Sequence, residues 1–225
     1  MQDSSAGHGP EKNDDSLSAL LGGRAASIDA TLPPVAFVAG WLACGRSIGW
    51  GAAAALAAAA LTGGFRLARR EKPRAVLLST AFVVIAALVA LHTGRAADFF
   101  LLQLLSNAAS ALAWTAGIAL RRPFLGLIVG AVLGQRTRWR RDRALLRGYQ
   151  WASWVWVGQY VLRVLVYAPL WLADATVALG AARVLLSWPL QAACLSVSWL
   201  AFRRALPEGH PGIRHPLPPD ADART

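Results

Sequence analysis

Apolar positions in this chain come in long blocks, not in the short alternation of half-buried strands. The blocks cover about 48–65, 75–92, 98–120, 150–172 and 181–201, and another starts near Pro33-Pro34 and ends before Arg46. About 18 or more apolar residues are enough for a helix to cross a hydrocarbon core roughly 30 Å thick. The first block reaches that length only if it extends back toward Ile28. Its prolines suit a helix start, where a missing N–H has no intrahelical partner. The second block is mostly alanine, which inserts weakly, so it calls for close packing against neighbouring helices. The twelve residues 123–134 (PFLGLIVGAVLG) are too few. They rise only about 18 Å as a helix, which predicts a re-entrant or interfacial segment.

Charge then orders the blocks. Arg66, Arg69, Arg70, Lys72 and Arg74 lie between the second and third. Arg121, Arg122, Arg136, Arg138, Arg140, Arg141, Arg143 and Arg147 lie between the fourth and fifth, and Arg203 and Arg204 follow the sixth. The alternate loops hold Arg46, Arg95 and Arg183. If six helices cross and 123–134 does not, every arginine-rich loop falls on one side. Basic loops face the cytoplasm. The fold expected is therefore all-α: a polytopic membrane protein of about six transmembrane helices in the cell membrane, with both termini cytoplasmic. Residues 1–16 form a polar, acidic N-terminus without the pattern of a secretory leader. The helical membrane domain runs over 17–206, and 207–225 is a Pro-rich tail. Both ends have the composition of disordered segments.

Composition agrees. Of 225 residues, 56% are hydrophobic, against about 45–50% in a soluble domain. A net charge of +11 raises nucleic acid as a partner. The arginines sit at block edges, as topology-setting charges do, and no nucleic-acid binding is expected. Cys44 and Cys194 both lie in apolar blocks, without metal-ligand spacing.

The candidate chemistry is intramembrane. Arg163 lies inside the fifth block, about nine residues or about 13 Å from its outer end, and a charge there is by default a functional hypothesis. Gln159 precedes it by one turn and Tyr167 follows by one turn. Gln103, Asn107 and Ser110 make a polar stripe on the fourth block, and Gln191 lies midway along the sixth. Arg163, Gln159, Asn107, Gln103 and Gln191 form the expected polar cluster, because hydrocarbon supplies no other hydrogen-bond partners. Helix-to-helix adhesion is the competing reading of the same residues.

Asp98 is expected to favour the N-terminal dipole of the fourth helix, and Asp174 to be a loop residue. Arg136, Arg138, Arg140, Arg141 and Arg143 are expected to meet anionic lipid headgroups. Trp151, Trp154, Trp156, Trp171, Trp188 and Trp199 read as interface anchors and packing. The Ala- and Gly-rich second helix offers a surface for homo-oligomerisation. No GxxxxGKS/T, HExxH or GxSxG motif is present, so nucleotide hydrolysis, zinc proteolysis and serine hydrolysis lack their residues. No cofactor or metal is expected, and the chain is not read as an enzyme.

Several stretches carry a family resemblance: LLGG at 20–23, AADFF at 96–100, RRPFLGLIVG at 121–130, WRRDRALLRGYQWASWVW at 139–156 and APLWLAD at 168–174. Over about 17–206 the chain resembles an uncharacterised family of actinobacterial integral membrane proteins, domain of unknown function 3159. The resemblance implies a multi-span helical membrane protein and no established activity. A fainter similarity to septation-protein-A-type inner-membrane proteins runs through the Pro-Phe-Leu-Gly segment and implies a link to the cell envelope. Two functions follow as expectations: passage of a small or anionic solute past the polar cluster, or a structural role in the envelope.

Overall fold

The computed structural model describes residues 23–71, 73–134, 140 and 142–206. The expected terminal segments 1–16 and 207–225, and Arg136, Arg138 and Arg141, lie outside the described residues. Eight α-helices and one 3-10 turn form among the described residues, and no strand does.

Helix α1 (Gly23–Ala43) contains Pro33 and Pro34 in its interior, which corrects the expectation that they begin it. A membrane helix tolerates internal proline when neighbours satisfy the carbonyls it frees. Helix α2 (Ile48–Ala68) turns its small residues inward: Gly51, Ala52, Ala55, Ala58, Ala59 and Gly63 are buried. Contact with α1 is backbone-close. A methyl group on Gly40 would sit 2.7 Å from the Ala54 Cβ and 2.9 Å from the Trp50 carbonyl oxygen. Small residues of α2 pack within the chain, against α1 and against α3 (Pro73–Thr93).

After α3 comes the 3-10 turn Ala96–Phe100, all of whose residues are buried. Phe99 stacks on Phe37 of α1 with ring centroids 4.0 Å apart, and Phe100 meets both edge-on. Helix α4 (Leu101–Ala119) continues directly from it. Helix α5 (Phe124–Val132) has nine residues. It rises about 14 Å, too little to cross.

Helix α6 (Arg143–Leu172) has thirty residues and begins at Arg143, not near 150. Asp142 caps it, accepting from the Leu145 N–H at 3.1 Å, so the helix starts outside the apolar block and overshoots the hydrocarbon. The expected continuous run over 181–201 is divided. Helix α7 (Thr176–Leu185) starts earlier, and α8 (Trp188–Ala205) follows after a bend of 40°. Pro189 fits the break: it lies in the first turn of α8, where a missing N–H needs no partner, and in a continuous helix it would leave the Leu185 carbonyl without its donor.

Four segments are long and apolar enough to cross a membrane: Ile48–Ala68, Pro73–Thr93, Ala96–Ala119 and Arg143–Leu172. The bent pair α7–α8 passes the same test only when the two are taken together as one span, while the apolar part of α1, Thr31–Ala43, is shorter. Large apolar side chains point outward, among them Leu61, Leu78, Leu112, Leu165 and Leu172. Alanine, glycine and polar groups fill much of the interior. This distribution suits a protein embedded in lipid, where the exterior is apolar and close helix contacts need small residues.

Candidate functional site

The break between α7 and α8 meets α6 at Arg163. The Arg163 Nε–H donates to the Leu186 carbonyl at 3.1 Å. Leu186 closes the C-terminal end of α7, where carbonyls lack intrahelical partners and the dipole is negative. The guanidinium also lies 6.0 Å from the Tyr160 ring. A residue about two and a half turns from the end of one helix thus holds the C-terminal end of another.

Toward the N-terminus of α6, the buried side carries three polar groups in succession. Ser153, Trp156 and Gln159 are buried. The Ser153 hydroxyl, the Trp156 indole N–H and both amide atoms of Gln159 have no hydrogen-bond partner. Ser153 to Gln159 spans about 9 Å of helix. On one side Trp114 of α4 stacks on Trp156 at 5.2 Å. On the other, Ser198 of α8 donates to the Ala152 carbonyl at 3.4 Å and Phe202 packs on Tyr149. The last two contacts set the antiparallel register of α6 and α8, and carrying that register two turns onward puts Gln191 level with Gln159. The contacts Trp114–Trp156 and Asp98–Trp171 likewise put Asn107 level with Arg163.

Gln191 with Gln159 and Asn107 with Arg163 therefore share depths, whereas Gln103 lies near the start of α4, and no hydrogen bond joins the side chains of the five expected cluster residues to one another among the described residues. Asn107, buried, donates to the Gln103 backbone carbonyl at 2.8 Å. Arg163 turns to Leu186, and Gln159 has no partner. Gln191 is half-buried. Gln103 borders a separate cavity between α1, α2, α3 and α4, which Arg183 of α7 also lines. Sequence reasoning left Ser153 and Arg183 out of the cluster and treated Trp156 as an anchor. The i, i+3, i+6 spacing of Ser153, Trp156 and Gln159 was the available signal.

At the other end of α6, the AADFF and APLWLAD stretches meet. The Trp171 indole N–H donates to the Asp98 carboxylate at 2.7 Å. Arg95 lies 3.7 Å from Asp98 and 3.9 Å from Asp174, and donates to the Trp171 carbonyl at 3.2 Å. Asp98 makes no side-chain cap at the start of α4. Its main partner is an indole on another helix, which corrects the expectation of a dipole-favouring carboxylate alone. Asp174 sits in the left-handed region (φ 51°) just past α6 and pairs with Arg95.

Arg140 and Arg143, two of the expected headgroup contacts, are described: Arg140 is half-buried and Arg143 is exposed at the start of α6.

A family model described as "Protein of unknown function (DUF3159)" matches residues 21–209, and the chain belongs to that family. No curated protein and no solved structure matches it.

Proposed function

We propose that this family member passes a small polar or anionic solute across the cell membrane along the buried polar row of α6, ending at Arg163. The observation that carries the reading is Gln159: a buried amide with neither atom hydrogen-bonded, one turn from a guanidinium at a helix break. A buried unsatisfied polar group costs about 1–3 kcal/mol. Polar side chains that only glue helices together bond to each other, and these do not. Water and a solute supply the missing partners. Arg163 uses its Nε–H on Leu186, and its remaining donors carry the charge that attracts an anion. Broken helices beside a midplane site are a recurring transporter arrangement.

In this reading α1, α2, α3, the 3-10 turn with α4, α6 and the bent pair α7–α8 make six crossings, and α5 lies at the surface. All arginine-rich loops then face the cytoplasm with both termini, and Arg140 and Arg143 meet anionic headgroups there.

Cysteine accessibility tests it. In a Cys44→Ser, Cys194→Ser background, cysteines are placed at Gln159, Ser153 and Asn107. They are then probed from each side with anionic and cationic thiol reagents. Expected is labelling at Gln159 and Ser153, faster with the anionic reagent. No labelling from either side in folded protein would overturn the solute path. A structural role in the envelope would then stand, which the Arg95, Asp98, Trp171 and Asp174 network favours.

A further inference from the structure

A cavity of about 450 Å³ lies between α1, α2, α3 and the start of α4. It is far larger than the voids of a packed interior. Its walls are mainly apolar: Pro34, Ala59, Ala86, Phe99 and Phe100 line its inner parts. Leu78 and Phe82, 75% and 36% exposed, and exposed Ser106 form its rim. These rim residues lie along the lengths of α3 and α4, which touch little. The opening is therefore sideways, toward the hydrocarbon of a bilayer.

One end of the cavity is basic. Arg66 lines it, bonded to Glu71 at 2.8 Å and donating to the Ser79 hydroxyl at 3.4 Å. Residues 66–74 carry Arg66, Arg69, Arg70, Lys72 and Arg74 against the single acid Glu71. On α3 the lining reaches from Ala75, one turn before the Ser79 that Arg66 meets, to Ala86, which is about 16 Å of helix. Half of a hydrocarbon core about 30 Å thick is about 15 Å. At the far end stand Gln103 and Arg183, and Arg183 already has an interaction within the protein.

We infer that this cavity is a binding site for one anionic phospholipid of the arginine-rich leaflet, with an acyl chain along α3 and its phosphate beside Arg66. Three observations converge: apolar walls opening sideways, a length of one leaflet, and a net positive mouth at headgroup depth. The site is separate from the polar row of α6 and does not depend on it.

The test is native mass spectrometry of the full chain in mild detergent, with phosphatidylglycerol or phosphatidylcholine added in mixed micelles. Wild type is expected to retain one phosphatidylglycerol in preference to phosphatidylcholine. Arg66→Gln should weaken retention about fivefold, the effect of one headgroup-proximal charge. Thr62→Phe, which fills the lining, should abolish it, while Arg204→Gln, exposed and outside the lining, leaves it unchanged. As a check independent of variant folding, wild-type protein is cross-linked to phosphatidylglycerol carrying a photoreactive acyl chain. Lipid adducts are expected on peptides containing residues 59–66 and 75–86. Equal retention in all variants, loss in Arg204→Gln alone, or cross-links to a second copy in place of lipid would each overturn the assignment.

Discussion

The indole nitrogen of Trp171 and the carboxylate of Asp98 stand 2.7 Å apart, tying the end of α6 to the turn that opens α4. Asp98 is buried and Trp171 half-buried, so this charge-assisted bond is poorly screened. Trp171→Phe keeps an aromatic ring, smaller than the indole, and removes the donor. It should cost about 1.5–3 kcal/mol, read from unfolding in mixed micelles. Asp174→Asn removes only an exposed ion pair at 3.9 Å, with a side chain that tolerates the left-handed backbone there, and should cost under about 1 kcal/mol. Equal losses would show that the indole bond is not the stronger link.

Arg163 should hold the α7–α8 bend. Arg163→Leu leaves the Leu186 carbonyl without this donor, at about 1.5–3 kcal/mol. Spin labels at exposed Val177 and Val197 read the geometry across the break. The distance distribution should broaden in Arg163→Leu and stay narrow in Arg163→Lys, whose ammonium can still donate. An unchanged distribution in the leucine variant would assign the bend to Pro189 alone.

Gln159→Met removes an unsatisfied amide from a buried site at nearly constant volume. Water supplies its partners along the proposed path, so stability should change by under about 1 kcal/mol, while thiol labelling at a cysteine placed at Ser153 should fall. A loss of stability would mean that the amide is bonded in the folded protein and the row is an adhesive contact.

Glycine positions separate close packing from helix propensity within the α1–α2 pair. Gly40→Ala brings a methyl against backbone at 2.9 Å and should cost about 1–3 kcal/mol as α1 and α2 are pushed apart. At Gly64 the same change meets nothing within 4 Å, and should stabilise α2 by about 0.5–1 kcal/mol. Thermal unfolding of the two variants in one detergent decides whether the small face of α2 is consumed within the chain.

The amino-acid sequence by itself determined the helical class, the blocks long enough to cross, the shortness of 123–134 and the arrangement of arginines. These are local sums of apolarity, length and charge, readable without knowing which helix lies beside which. The same is true of the polar residues at mid-depth: Arg163, Gln159 and Asn107 were visible as costly groups in apolar blocks. Their partners were not. Arg163 bonds the Leu186 carbonyl, which exists as a free acceptor only because the chain breaks before Pro189. Asp98 bonds Trp171 across seventy-three positions of sequence. Pro33 and Pro34 look like a helix start until the residues before them continue the helix. The cavity beside Arg66 has no sequence signature, since it arises where α3 and α4 fail to meet. Helix adjacency and register decide which side chains face each other, and only the tertiary structure supplies them.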